Sequence, residues 1–156
     1  MQADQIPVAH TPEGGYGESM PPPFLEGCDD PLVAGAPDLR GTWSITAVSW
    51  KGSPPPDPDR MLGHLQRIEQ CGDRVCITSG GVVHDMRCDG TAERGVNDVA
   101  AAGGQPITVV ATFEDGVHVL RPVGIDGVEV TRRLEGDELV WDYGPMFVAR
   151  LRKVEP

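Results

Sequence analysis

Four side chains that suit ligand binding lie close together near the end of the chain: Trp141, Tyr143, Arg150 and Arg152. Aromatic rings can wall an apolar pocket, and a tyrosine adds a hydroxyl at its end. Arginine supplies a permanent positive charge that can meet an acidic group. Together these residue types indicate a site for a mostly apolar molecule with a polar or acidic end.

The two arginines share one face of the last predicted strand. Alternate side chains of a strand point the same way, so Arg150 and Arg152 lie on the same side as Val148 and Val154. A charge in an apolar cavity is unfavourable unless it is paired, so an anionic ligand or a buried carboxylate would have to meet each arginine there. The alternative is a cation–π contact in which one arginine covers Trp43, and this contact requires no ligand.

His84 is the strongest candidate for proton transfer. It shares an apolar strand face with Met86, and both are predicted to point inward and to line the ligand site. The unperturbed pKa of histidine lies near neutrality, which suits an acid or a base. Tyr143 is the second catalytic candidate. Asp85 should point away from His84, so a His–Asp pair is not expected, and a hydrogen-bonded core histidine is the alternative reading.

Strands must position these candidates, and the chain is rich in strand signals. Runs of β-branched and aromatic residues alternate with short turns, and no run has convincing helical periodicity. Two loops interrupt the runs, a proline-rich one at 51–61 and an alanine- and glycine-rich one at 97–105. Strands are predicted in the ranges 43–48, 64–71, 74–79, 82–88, 91–96, 107–113, 117–121, 128–135, 138–143 and 146–154.

Strands in this number and order favour an all-β fold, an up-and-down antiparallel β-barrel of about 8–10 strands. A long open sheet leaves exposed edges that attract other chains, whereas closure removes them. The strand that begins at Arg40 would then pair with the strand that ends at Val154. The interior of such a barrel has room for one small ligand.

Short motifs at both ends of this region carry a family resemblance. Gly41-Thr42-Trp43 resembles the Gly-x-Trp signature of the calycins, the lipocalins and fatty-acid-binding proteins. The runs from 130 to 153 are similar to the last three strands of the fatty-acid-binding group. In the final strand of that group, an Arg and a Tyr two residues later grip a carboxylate. Arg150 matches that Arg, whereas Arg152 stands where the Tyr would be.

The resemblance implies a calycin-like, lipocalin-like barrel domain over 39–156 with a hydrophobic cavity. It also places the face that carries Arg150 and Arg152 inside, against a small apolar or amphipathic ligand. The chain departs from the fatty-acid-binding proteins after its first strand, where they have a helix pair and this sequence has the proline-rich loop. Heme-binding relatives use a late axial His, and the last histidine here is His118, so no cofactor is expected.

Residues 1–38 are predicted to form an N-terminal arm. Seven prolines and several glycines remove helical and strand periodicity, which is typical of extended or disordered chain. Phe24 and Leu25 are apolar enough to fix the arm to the barrel. The alternatives are a mobile leader and an arm that contacts a second subunit, which would make the protein a homo-oligomer.

The formal net charge of -11 argues against nucleic acid or an anionic membrane surface as a partner. No apolar run suits a membrane span and no signal pattern is recognised, so a soluble cytoplasmic protein is expected.

Free thiols are predicted for Cys28, Cys71, Cys76 and Cys88, with a disulfide as the alternative. No metal site is predicted, because the cysteines lack the paired spacing of zinc ligands.

Two functional hypotheses fit these patterns. The first is a small-molecule binding protein that holds a mostly apolar ligand with a polar or acidic end inside the barrel. The second is a barrel-fold enzyme of isomerase or cyclase type, in which His84 or Tyr143 transfers a proton in the same cavity. A weaker third hypothesis is a structural protein whose arm binds the partner.

Overall fold

The computed structural model describes residues 1–92, 96–100 and 106–154 of the chain. Apart from one 3-10 turn at Ala3–Gln5, the regular structure of these residues is entirely β, as predicted. No helical segment within them is long and apolar enough to cross a membrane. The strands are β1 (Gly41–Trp50), β2 (Leu65–Cys71), β3 (Arg74–Ser79), β4 (Val82–Arg87), β5 (Val96–Ala100), β6 (Pro106–Glu114), β7 (Val117–Pro122), β8 (Glu129–Glu135), β9 (Glu138–Gly144) and β10 (Phe147–Lys153).

All these strands belong to one antiparallel sheet in the order β4-β3-β2-β1-β10-β9-β8-β7-β6-β5. The first strand pairs with the last, with Trp43 opposite Lys153 and Trp50 opposite Phe147. The end strands β4 and β5 lie side by side without a shared ladder in the described part of the chain. The sheet is therefore a nearly closed up-and-down barrel, and the predicted fold class and the predicted pairing of first and last strands are confirmed.

The fifth strand lies further along the chain than predicted. The sequence predicts a strand at 91–96 and a loop at 97–105, whereas β5 covers Val96–Ala100. Its backbone pairs with the start of β6. This long-range pairing overrides the weak strand propensity of the small and polar residues there. Residues 93–95 of the predicted strand and residues 101–105 of the predicted loop lie outside the described residues.

Trp43 anchors one end of the barrel core. The ring is buried, and its Nε1 donates a hydrogen bond to the carbonyl of Leu39 at 2.9 Å. The Nζ of Lys153 lies 5.4 Å from the ring centroid and covers the ring as a cation–π partner. The cation over Trp43 is therefore Lys153, not Arg150 or Arg152.

The predicted proline-rich loop joins β1 to β2, in place of a helix pair. Trp50 fixes it by donating a hydrogen bond from Nε1 to the carbonyl of Pro58 at 2.9 Å. Met61, at the far end of the loop, packs against the barrel core. The loop thus lies against the barrel, and its prolines exclude regular backbone hydrogen bonding.

The N-terminal arm lies along the outer face of β2, β3 and β4. Glu69 accepts hydrogen bonds from the backbone N–H groups of Phe24 and Leu25, at 3.2 and 2.9 Å. The arm therefore packs against its own barrel through the two residues that the sequence singles out. The contact is filled by an apolar cluster of Ala3, Ala9, Leu25, Cys71, Cys76 and Val83, with Ile6, Tyr16, Phe24 and Cys28 around it.

A disulfide joins the arm to the barrel. Cys28 and Cys71 are bonded, with their Cα atoms 5.9 Å apart, while Cys76 and Cys88 are free and buried. The prediction of free thiols is wrong for the first pair, because the arm folds back over a separation of 43 residues and brings Cys28 onto β2. Closing a loop of this length restricts the unfolded chain and adds about 2–4 kcal/mol of stability.

Candidate functional site

The inner face of β10 is opposite to the one predicted. Ala149 and Leu151 are fully buried, whereas the side chain of Arg150 is 40% exposed and that of Arg152 is 58% exposed. Arg150 lies 3.3 Å from Glu135, and Arg152 lies 3.4 Å from Asp137. The predicted inward placement of both arginines is therefore wrong. Acidic residues of the β8–β9 hairpin pair with them on the outside, where neither charge needs to be desolvated.

The interior of the barrel holds a cavity of about 100 Å³. His84 and Ile77 form one wall, and Trp141 and Tyr143 form another. Apolar residues from β6, β7 and β8 complete the lining, and Arg132 is the charged residue among them. The cavity is thus mostly apolar with one cation at its side, which is the usual composition of a small-molecule site.

Arg132 lines the cavity and is not among the site residues that the sequence predicts. It is only 4% exposed, and its Nε lies 3.4 Å from Oε1 of Gln66. Its guanidinium carbon lies 5.0 Å from the centroid of the Trp141 ring, a cation–π contact. Neither a carboxylate nor any other acceptor binds Nη1 within the described residues. Burial lowers the pKa of Arg132 to about 10, so the group still carries its charge at neutral pH.

A signal for this arginine was present in the sequence. The turn at Gly136-Asp137 fixes the register of the β8–β9 hairpin, and this register sets Arg132 directly opposite Trp141. Residues directly opposite each other in a ladder share a face. Since Trp141 is predicted to line the site, its partner Arg132 follows, while Arg133 falls on the other face.

His118 lies next to Arg132, on the neighbouring strand β7. The two residues are opposite each other in the ladder, and His118 is fully buried, with its ring centroid 5.8 Å from that of Phe113. Neither ring nitrogen has a hydrogen-bond partner in the part of the chain that the structure describes. Burial, and secondarily the charge of Arg132, lower the pKa of His118 to about 3. The imidazole is therefore neutral beside a charged guanidinium.

This histidine makes the stability depend on pH. Its pKa is about 3 in the folded protein and 6.5 in the unfolded chain, so the unfolded state binds more protons between these values. The stabilisation is fully present above pH 6.5 and is lost as the pH falls toward 3, by about 1.4 kcal/mol per pH unit at most. The free energy of unfolding, measured with urea, should therefore fall less between about pH 7 and pH 4 in His118→Leu than in the wild type. Equal slopes in the two proteins would contradict this assignment.

The structure brings some of the predicted site residues together. His84, Trp141 and Tyr143 line the cavity, and Asp85 points to the opposite side of β4, as predicted. Tyr143 and Trp141 meet edge to face, with ring centroids 6.3 Å apart. Met86 is buried in the barrel core but is not among the residues that line the cavity. Roles for these residues in binding or catalysis stay predictions.

Within the described residues, no group of three or more His, Cys, Asp or Glu side chains is arranged to hold a metal ion. Among the described residues of the lining, Arg132 carries a guanidinium, His84 an imidazole and Tyr143 a phenol. Such a set can bind an anion, and it can place a proton donor or acceptor near that anion.

No protein-family model and no curated protein matches this sequence. Solved structures do match. Zebrafish ileal bile acid-binding protein, complexed with cholic acid, matches with a TM-score of 0.57 and 17% identity, over 74% of this chain and 98% of that one. Human cRBP IV matches with a TM-score of 0.53 and 16% identity, over 75% and 98% of the two chains. A point mutant of the REP1-NXSQ fatty acid transporter matches with a TM-score of 0.55 and 12% identity, over 75% of this chain and 98% of that one.

The match covers nearly the whole of each of these three structures and about three quarters of this chain. At such identities the likeness concerns the fold. The chain therefore has the barrel fold of these three structures, which confirms the fold that the resemblance of Gly41-Thr42-Trp43 and the closing strands implies.

Proposed function

We propose that the protein binds a small, mostly apolar carboxylic acid inside the barrel, with the carboxylate against Arg132. The observation that carries this proposal is the buried guanidinium, which lies at an apolar cavity without a carboxylate partner among the described residues. A buried charge without a counter-ion is strongly unfavourable. A ligand carboxylate removes that penalty and forms charge-assisted hydrogen bonds, so the site favours acids over neutral molecules.

The cavity walls suit the rest of such a ligand. Trp141 and Tyr143 present aromatic surface, and Ile77 with the apolar residues of β6 to β8 completes it. Trp141 also has an Nε1–H that no described residue accepts. This donor lies beside the guanidinium, since Arg132 stacks on the same ring. Two donors on one side of the cavity match the two oxygens of a carboxylate.

The names of the similar structures agree with this class of ligand. One is a bile acid-binding protein complexed with cholic acid, and another is a fatty acid transporter. Bile acids and fatty acids both join an apolar body to a carboxylate. The described cavity, about 100 Å³, is smaller than the roughly 300–1,000 Å³ typical of ligand sites. We therefore propose a compact acid, and we expect octanoate to bind more tightly than cholate.

Isothermal titration with octanoate and 1-octanol tests this proposal. The two molecules share an apolar chain and differ in the acidic end. Octanoate should bind at least about 30-fold more tightly, because only a carboxylate satisfies the buried guanidinium. Equal affinity for the acid and the alcohol would overturn the proposal, as would failure of every medium-chain acid to bind.

Proton transfer in the same cavity is the second candidate function. His84 and Tyr143 both line the cavity that holds Arg132, so a bound acid would lie beside two groups that exchange protons. The measurement is deuterium incorporation into a bound keto or unsaturated acid in D2O, for wild type and His84→Ala. Exchange in the wild type that the variant loses, with unchanged affinity, would support an enzyme. Identical exchange in both proteins would exclude His84 from catalysis.

A further inference from the structure

The arm contacts the open edge of β4, the strand at one end of the sheet. The backbone N–H of Val83 donates to Oγ1 of Thr11 at 2.9 Å, and the same hydroxyl lies 3.4 Å from the carbonyl oxygen of Val83. Two residues earlier in the arm, the N–H of Ala9 donates to Asp85 at 2.8 Å. The arm thus satisfies backbone groups of β4 that a neighbouring strand would otherwise take.

A buried ion pair strengthens this contact. Arg74 of β3 and Asp85 of β4 lie 2.6 Å apart, and both side chains are only 3% exposed. The same guanidinium donates hydrogen bonds to the arm carbonyls of Ala3, Ile6 and Pro7, at 2.7 to 2.9 Å. The arm therefore keeps water from an ion pair that spans β3 and β4. Removal of the arm would hydrate this pair and weaken the hold on β4.

β4 also forms part of the cavity wall. Val83 and Asp85 face the arm, whereas His84, between them, faces the cavity. On its far side β4 lies beside β5 without a hydrogen-bonded ladder in the described chain. Only β3 and the arm therefore hold this strand through backbone hydrogen bonds among the described residues. Within the described residues, the seam between β4 and β5 lacks the hydrogen-bonded ladder that joins every other pair of neighbouring strands, so local opening is expected there.

We propose that the arm is a disulfide-locked clamp on β4, and that reduction of Cys28–Cys71 opens the seam between β4 and β5 and speeds exchange of the ligand. The part that concerns the ligand rests on the proposed function. In the step itself a dithiol gives two electrons and two protons to the bridge. The sulfurs of the dithiol join as a disulfide, and Cys28 and Cys71 become thiols. The arm then has only its non-covalent contacts with the barrel.

The two free cysteines report on the two sides of β4 without any ligand. Cys76 is buried beneath the arm, and Cys88 is buried in the barrel core just beyond β4. The native wild type and the Cys28→Ala/Cys71→Ala variant are labelled with iodoacetamide. Peptide mass spectrometry then gives the rate at which Cys76 and Cys88 react in each protein. We expect both cysteines to react at least about tenfold faster in the double variant. Unchanged rates at Cys76 and Cys88 would overturn the clamp.

Hydrogen–deuterium exchange separates local opening from general destabilisation. On reduction of the wild type with dithiothreitol, exchange should rise in 1–38 and in β4 and stay constant in β8, β9 and β10. A uniform rise across the barrel would overturn the proposal, since it would show loss of global stability only. The Cys28→Ala/Cys71→Ala protein is the control, and dithiothreitol should leave its exchange unchanged.

Ligand release distinguishes the clamp from the proposed function. If octanoate binds, its dissociation rate should rise at least about tenfold on reduction, and equal rates in the two redox states would overturn control of ligand exchange. If no acid binds to either state, the proposed function fails. The labelling and exchange experiments still decide whether the disulfide locks the arm over β4.

Discussion

Replacing Arg132 with methionine is expected to weaken octanoate binding by about 100-fold, or about 3 kcal/mol. The same change is expected to raise the free energy of unfolding of the ligand-free protein by about 1–3 kcal/mol. Isothermal titration measures the first effect and urea unfolding measures the second. Opposite signs for binding and stability are typical of a residue retained for function rather than for the fold.

The physical reason lies in the surroundings of the guanidinium. Arg132 is almost fully buried, and among the described residues its polar contact is one long hydrogen bond, to Gln66. Methionine has a similar length and no charge to desolvate, so the ligand-free barrel gains from the exchange. The carboxylate of the ligand, however, would then enter an apolar cavity without a cation and would itself be penalised.

Arg150→Met is the matched control. This arginine lies on the outer face, 40% exposed, with Glu135 and Glu138 as its partners. We expect its replacement to leave octanoate affinity unchanged and to alter stability by about 0.5 kcal/mol or less. If Arg150→Met weakens binding and Arg132→Met does not, the carboxylate does not bind at the inner arginine.

Asp85→Ala is expected to lower the free energy of unfolding by about 3–5 kcal/mol. The change removes the counter-ion of Arg74 and leaves a positive charge buried beneath the arm. The arm carbonyls that also accept hydrogen bonds from Arg74 lower this penalty but do not neutralise the charge. Because the arm also bonds to Asp85 through the N–H of Ala9, the loss should be accompanied by faster proteolysis within 1–38.

Asp142→Ala is the control for the loss of stability expected in Asp85→Ala. Asp142 and Lys51 lie 2.7 Å apart, nearly the same distance as Arg74 and Asp85, but their side chains are 36% and 41% exposed. Water screens an exposed pair, so its loss should change stability by about 0.5 kcal/mol or less. Equal losses of unfolding free energy in Asp85→Ala and Asp142→Ala would show that burial does not determine the strength of the Arg74–Asp85 pair.

Much of the barrel follows from the sequence, because local patterns determine it. Alternating apolar residues and two-residue turns define most strands, and a chain of consecutive hairpins has one simple sheet order. The inward direction of His84 and the outward direction of Asp85 also follow from the alternation. The position of β5 does not follow from local patterns, because its residues have weak strand propensity and pairing with β6 determines where it lies.

The choice of inner face on β10 could not be made from alternation alone. Alternation divides the strand into two sets, and a shift of one residue exchanges inside for outside. The decisive feature is the hairpin beside it, whose Glu135, Asp137 and Glu138 give Arg150 and Arg152 partners on the surface. The family resemblance favours the wrong set, and the arginine that lines the cavity is Arg132 of β8 instead.

The arm was the least predictable part of the chain. Its prolines exclude regular structure, so nothing local indicates where it lies. Its position depends on contacts with distant residues: the disulfide from Cys28 to Cys71 and the hydrogen bonds from Arg74 to arm carbonyls. Phe24 and Leu25 are predictable points of attachment, because they are apolar residues in a polar segment, and both contact the barrel in the structure.

The most direct test of the central claim is carbon NMR of octanoate labelled with 13C at its carboxyl, bound to the wild type and titrated with acid. A carboxylate held against the Arg132 guanidinium has a pKa below that of the free acid, since the charge favours its ionised form. We predict that the bound signal keeps the shift of the carboxylate as the free acid becomes protonated. A bound signal that titrates together with that of the free acid would contradict the account.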